Sequence, residues 1–297
     1  MNIIDKFGNM VSSATLKDSE KARRLLLAGY RLQEKRLCLF PDRALPSSGR
    51  YVAKIVMKNI IQALSRPENS AMVSIFVPGE LLTAAGLTPY SVEAMSCFMA
   101  GTNCEQTFLR RTEEEGFPET MCSYHRVFLG AALTGFLPKP KCTIYTNLAC
   151  DGNMMTFPYL KEKYHVPGFY IDVPYEKNQE AIEYVAEQLR ELTIFLEDVT
   201  KRKISGEAVE KAVANSRKAS EYPVTSLTNE LYAIFMCHLL AGSEEAVKYT
   251  ELLLKDVKKA PKGGGLHVLW MHIIPFLQQP VKDVFNYNPK MHISACD

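Results

Sequence analysis

The chain has 297 residues, 47% apolar and 23% charged, with 16 Gly, 16 Pro and 8 Cys. That is the make-up of a folded protein of one or two domains, and it excludes disordered, collagen-like and mucin-like classes. Thirty-five Lys and Arg against 33 Asp and Glu leave a formal charge of +2, so no global field draws the chain to nucleic acid or anionic lipid, and small molecules or proteins are the expected partners.

Residues 1–70 read as an N-terminal helical segment. Asp18 or Ser19 can cap a helix from Glu20 to Lys35, and a second apolar periodicity runs from Tyr51 to Leu64 until Arg66-Pro67 stops it. Over 71–175 the texture changes to short apolar runs ended by turn residues: Met72 to Val77, Val92 to Met99, Cys142 to Leu148 and Gly168 to Val173. These predict buried strands. Helical stretches from Glu80 to Ala85, Met121 to Thr134 and Met155 to Lys163 lie between them, the alternation that builds a parallel sheet covered on both faces. Residues 176–260 have helical spacing at Ile182, Val185, Leu189, Leu192 and Leu196, and again across Leu227 to Leu240 and Ala246 to Leu254. After Pro261-Lys262-Gly263-Gly264-Gly265, strand-like runs recur at Leu266 to Trp270 and Met291 to Ser294.

The expected fold class is α/β: an open, mostly parallel sheet domain (71–175) with N-terminal helices, a helical bridge (176–260) and the start of a second similar α/β domain (261–297). A self-supporting domain needs roughly 50 residues or more. The second unit is therefore expected to be truncated, or to borrow the rest of its sheet from a partner. No run approaches the roughly 20 apolar residues of a membrane span, and Met1 to Lys6 opens no signal core. The expected compartment is the cytoplasm, where cysteines serve as core thiols, reactive thiols or metal ligands rather than as a disulfide framework.

Open α/β sheets bind ligands outside the carboxyl ends of their strands, and this sorts the cysteines. Cys97 near a strand end, Cys104 after the turn Gly101-Thr102-Asn103, Cys122 at a helix start, Cys150 after a strand and Cys296 at the end of the last strand-like run are the candidates. At a helix start, unpaired amides favour the thiolate, the form that ligates iron. Cys38 and Cys237 sit in apolar helical contexts and Cys142 at a strand start, all three read as buried core thiols. There is no Cys-x2-Cys pair, and Cys97-x6-Cys104 matches no compact zinc or ferredoxin pattern.

Cys122-Ser123-Tyr124-His125 could form a Cys/His nucleophile, but a helix-capping segment with an exposed His is the favoured reading. His267, His272 and His292 read as core or rim imidazoles. Asp172 and Glu176 are candidate active-site carboxylates, although a helix N-terminus explains Glu176 equally well. No Gly-x-Gly-x-x-Gly follows a strand, and Gly263 to Gly265 precedes a strand, so no phosphate loop is expected.

Four segments carry a resemblance: Val77-Pro78-Gly79-Glu80-Leu81-Leu82-Thr83-Ala84-Ala85-Gly86-Leu87-Thr88-Pro89, Met121-Cys122-Ser123, Leu148-Ala149-Cys150-Asp151-Gly152 and Phe169-Tyr170-Ile171-Asp172-Val173-Pro174. In order and separation they resemble the 2-hydroxyacyl-CoA dehydratase and benzoyl-CoA reductase family, over roughly residues 70 to 175. The resemblance implies an iron-sulfur protein with a [4Fe-4S] cluster, or in one branch a double-cubane [8Fe-9S] cluster. It further implies Cys97 as first ligand with Cys104 as its rival, Cys122 as second and Cys296 as third. Cys150, in a Cys-Asp-Gly motif typical of the double-cubane branch, is an additional ligand or a wall of the site.

The implied activity is a lyase reaction of anaerobic metabolism, the radical (ketyl) elimination of water from a 2-hydroxyacyl-CoA thioester. It implies a second dehydratase subunit in a homo- or heterodimer, and a separate ATP-dependent iron-sulfur activator that delivers the electron. The absence of a phosphate loop agrees with nucleotide chemistry on another chain. The chain ends at Cys296-Asp297, where family members continue, and its first two candidate ligands are closer together than in the family. Two alternatives stay open: a double-cubane cluster reductase of small molecules, and a non-catalytic structural or electron-transfer subunit.

Overall fold

The computed structural model describes residues 3–43, 45–148, 150–221, 233–259, 265–271 and 290–296, with backbone only for 291–296. Three helices open the chain: α1 (Ile3–Thr15), α2 (Ser19–Leu39) and α3 (Ser47–Ser65). Asp18 caps α2 by accepting from the Lys21 amide at 2.9 Å, and the helix buries Ala22, Leu26, Leu27 and Tyr30, one stripe at helical spacing. In α3 a buried face from Val52 to Leu64 packs on the sheet that follows.

The sheet is assembled from β1 (Ser70–Val73), β2 (Thr88–Ser91), β3 (Cys142–Thr146) and β4 (Gly168–Ile171) in the order β2-β1-β3-β4, every pair parallel. β1 and β2 are buried at every position, as expected of a parallel sheet covered on both faces. Pro89 is accommodated because β2 lies at the sheet edge. The connecting helices are α4 (Gly79–Ala85), α5 (Val92–Gly101), α6 (Glu105–Glu114), α7 (Ser123–Leu133) and α8 (Gly152–Tyr164). Gly86, at a φ of +70°, ends α4 in the left-handed conformation that glycine adopts without steric cost.

Beyond the sheet lie α9 (Gln179–Thr200), α10 (Gly206–Ala219), a π-helical turn (Phe235–Leu239) and α11 (Glu244–Lys259). This is the helix-rich stretch expected after residue 176. α10 packs against α4, and α11 against α3. A separate two-stranded parallel sheet pairs β5 (Leu266–Trp270) with β6 (Met291–Cys296), so the strand-like runs beyond Gly265 do pair with each other. The run Leu227 to Leu240 lies partly outside the described residues, as do the Gly263-Gly264 hinge and His272. Among the described residues no helix is long and apolar enough to cross a membrane.

The α/β architecture with helices before and after a parallel sheet is as expected, but one predicted strand is corrected. Val92 to Met99 is helix α5, not strand. Ser91 ends β2 and caps the helix by accepting from the Ala94 amide at 3.0 Å. Because Val92, Ala94, Met95, Ser96, Cys97 and Met99 are all buried, the helix shows no polar face, and its apolar run cannot be told from a buried strand by periodicity. β1, β3 and β4 are shorter than the apolar runs that signalled them, and β2 and α6 were not anticipated.

Candidate functional site

The order β2-β1-β3-β4 places a topological switch between β1 and β3, where open α/β sheets bind their ligands at the carboxyl edge. Three helices begin at or beside this edge: α5 directly after β2, α8 shortly after β3, and α7, which packs against both. Each begins with a residue of interest. Glu93 lies in the first turn of α5, and Cys97 follows it by one turn on the same face. Cys122 is the N-cap of α7. Cys150 immediately precedes Asp151, the N-cap of α8.

These groups share one neighbourhood. Cys97 is buried, hydrogen-bonded to Tyr124 and close enough to Glu93 to feel its charge. Tyr124 is in electrostatic reach of Cys97, Cys122 and Glu93, and Cys150 of Cys122 and Glu93. The Ser96 hydroxyl donates to the Tyr124 carbonyl at 2.7 Å and locks α5 to α7. Glu93 is oriented by Ser91 and by the backbone at Ile75, yet its Oε2 is buried without a hydrogen-bond partner. Burial pushes the Glu93 carboxyl up to about 7 and the Cys97 thiol up to about 11, because desolvation disfavours each charged form. Burial also raises Cys150, opposed by the backbone amides of Gly152 and Asn153 at the start of α8.

His125 is 1% exposed, a correction to the exposed capping histidine expected from sequence. Its Nε2 lies 3.4 Å from Cys150 Sγ and its Nδ1 2.7 Å from Thr156 Oγ1. The imidazole therefore meets the thiol of another segment rather than Cys122 three residues away. Burial pushes its pKa down to about 4.

The remaining candidates fall elsewhere. Cys97 is on a helix rather than at a strand end. Cys104 is buried at the N-cap of α6, its Sγ donating to the Met99 carbonyl at 3.4 Å beside Thr102 and Tyr30, on the side of the N-terminal helices. Cys296 pairs with Trp270 in the second sheet, and its side chain is outside the described residues, as is that of His292. Cys142 is core, with its thiol raised to about 12 by burial. Cys237 is half-buried and donates to the Ala219 carbonyl at 3.3 Å. Cys38 is exposed, not buried as expected, because α2 turns that face away from the core stripe.

Asp172 accepts from Asn147 Nδ2 at 2.9 Å, Tyr170 at 3.1 Å and Tyr184 at 3.3 Å, which makes it a clamp between β4, the end of β3 and α9. Glu176 and His267 are exposed. Glu93, Tyr124 and Thr156 were not foreseen. The only signal for Glu93 was an acidic residue two positions after Ser91, the signature of a helix start that the strand reading concealed. Among the described residues, no three His, Cys, Asp or Glu side chains close on one point as a mononuclear metal site would require.

Comparison with known proteins places the chain in a family. A chain described as the (R)-phenyllactyl-CoA dehydratase alpha subunit from Clostridium sporogenes is 23% identical over 227 residues, covering 69% of this chain and 55% of its own length. The present chain thus spans little more than half of that relative. A family profile described as 2-hydroxyglutaryl-CoA dehydratase, D-component, matches residues 74–297. This match begins as β1 ends, takes in Glu93, Cys97, Cys122, His125 and Cys150, and covers most of the sequence: the chain belongs to the 2-hydroxyglutaryl-CoA dehydratase D-component family.

Proposed function

We propose that this chain is an iron-sulfur subunit of a 2-hydroxyacyl-CoA dehydratase that removes water from an acyl-CoA thioester. The observation that carries the reading is that Cys97 and Cys150 lie in electrostatic reach of Glu93, and Cys150 of Cys122, at the carboxyl edge of the sheet. The donor set fits a thiolate-bound cluster. Thiolates are the ligands such clusters take, and Cys150 and Tyr124, the donor to Cys97, both lie in electrostatic reach of Cys122 and Glu93. Cys122 and Cys150, half-buried at the starts of α7 and α8, would hold it. Cys97, more deeply buried and bonded to Tyr124, would be the third ligand within the sheet domain, and Cys296 would be one from the second sheet.

When bound, a [4Fe-4S] cluster would supply a low-potential electron and an open iron position for the thioester carbonyl. The chain's own groups do the rest. Glu93, titrating near neutrality, holds a proton at its unpartnered Oε2 and can deliver it to the departing 2-hydroxyl, which leaves as water. Tyr124, whose phenol is raised by burial and by the neighbouring thiols and Glu93, stays a neutral donor to Cys97. The Glu93 carboxylate so formed can take up the proton lost from C3, which restores it, so the net reaction is 2-hydroxyacyl-CoA to 2-enoyl-CoA and water with no net consumption of electrons. A second subunit and an ATP-dependent activator in the same soluble compartment complete the scheme.

Iron and acid-labile sulfide on chain purified without oxygen test it: about four irons per chain are expected from a single cubane cluster. Chain without iron, alone and with its partner subunit, would defeat the reading. Cys150, in electrostatic reach of Cys122, favours a second reading, a double-cubane reductase. There about eight irons are expected, and Cys150→Ser would lose half of them.

A further inference from the structure

Cys150 has a surround that the other two thiols lack. Its sulfur sits by the backbone amides of Gly152 and Asn153, and His125 Nε2 lies 3.4 Å away. Behind the ring, Thr156 Oγ1 lies 2.7 Å from Nδ1, one turn further along α8 than the amides that face the sulfur. A single helix thus supplies both the amides around the thiol and the hydroxyl that holds the imidazole against it. Gly152 is fitted to this arrangement: a Cβ there would lie 3.0 Å from His125 Nε2 and 3.2 Å from Cys150 Sγ, tighter than side chains normally pack.

We propose that His125 is a positioning residue for Cys150, its Nε2–H donating to the Cys150 sulfur while the Thr156 hydroxyl donates to Nδ1 and fixes that tautomer. A neutral imidazole has one donor and one acceptor nitrogen. A hydroxyl that donates to Nδ1 leaves the ring proton on Nε2, facing the sulfur. Hydrogen bonds to a thiolate are of the stronger, charge-assisted kind, so the arrangement favours the thiolate and fixes its direction, as outer groups around metal-binding residues generally do. As an account of a cluster ligand, this rests on the function proposed above. As an account of Cys150 itself, it does not.

The test uses the iron-free, reduced full chain, alkylated with iodoacetamide at neutral pH, with modification of each cysteine followed by peptide mass spectrometry. The exposed Cys38 serves as internal reference. His125→Phe, which removes the donor, and Thr156→Val, which releases the tautomer, should each lower the Cys150-to-Cys38 rate ratio about tenfold, the scale of one lost hydrogen bond to a charged group. His125→Gln, whose amide reaches the Nε2 position, should restore most of it. Unchanged ratios in variants whose circular dichroism is that of wild type overturn the proposal. Should His125→Phe fail to fold, Thr156→Val, nearly the same shape, decides alone. Iron uptake is measured in parallel on the wild type. Chain that takes up no iron but shows the tenfold change loses the cluster reading and keeps the positioning role; chain that takes up iron but shows no change does the reverse.

Discussion

Glu93 and His125 respond to pH in opposite senses, and at the residue scale this sets a measurable stability profile for the iron-free chain. Glu93 is raised from 4.5 to about 7 by burial, so the folded state holds its proton more tightly than the unfolded chain does. Stability is full below pH 4.5 and falls as pH rises through 7. His125 is lowered from 6.5 to about 4, so its contribution is full above 6.5 and falls as pH drops through 4. Each is worth roughly 3 kcal/mol as an upper bound, at 1.36 kcal/mol per pKa unit. Between about pH 4.5 and 6.5 the two slopes cancel. Glu93→Gln should unmask a stability that keeps rising up to pH 6.5, and His125→Gln one that falls steadily toward pH 7. Urea midpoints across that range are the check; a Glu93→Gln profile superimposable on wild type would refute the role of its burial. Of these residues, sequence marked Cys97, Cys122 and Cys150 through their nearness to predicted element ends. It paired His125 with Cys122 and could not mark its contact with Cys150, because that thiol lies 25 positions away.

At the scale of elements, the site depends on how closely α6 and α7 approach. Gly130 in α7 lies against the backbone of Phe108 in α6, so that an added Cβ would overlap the Phe108 carbonyl. Backbone cannot step aside as a flexible side chain can, and Gly130→Ala should cost about 2–3 kcal/mol, the upper part of the overpacking range. Displacing α7 would also carry Tyr124 and His125 with it. A variant with wild-type urea midpoint and unchanged iron retention would show that the crossing has slack. α7 was legible because Cys122 sits at its start and its apolar run is long. α5 was misread because it is buried all round: the hydrophobic pattern reports which side of an element faces water, and an element with no such side carries no period. The strand reading placed Cys97 at a strand end; the helix puts it one turn from Glu93, on the same face.

Over the whole molecule, the N-terminal helices lie ahead of the family match at 74–297, yet they are tied into the matched part at many points. Tyr30 donates to the Phe98 carbonyl at 3.0 Å, Arg23 to that of Phe136 at 3.2 Å, and Asn59 to that of Pro89 at 2.9 Å. Asp256 in α11 accepts from the Ser48 amide at 2.7 Å, satisfying a free N–H at the start of α3. These ties predict that α1–α3, the sheet and α11 unfold together. Asp256→Ala should lower a single calorimetric transition, by about 1 kcal/mol as for a lost helix cap, without splitting it. An early separate transition in the variant would mean that the helices form their own cooperative unit.

The sequence by itself determined the fold class, the parallel sheet between two helical layers, the restart near Leu266 and the resemblance that the family match bears out. Those depend on local patterns of burial and turn chemistry, and on motifs read in order along the chain. Only the tertiary structure decided that Cys150 meets His125, that Cys104 faces Tyr30 instead of Glu93, and that the Glu93 carboxyl is buried near the thiols with its Oε2 unpartnered. Such meetings are set by strand order and helix packing, which join residues far apart in the chain, and no local pattern encodes that distance.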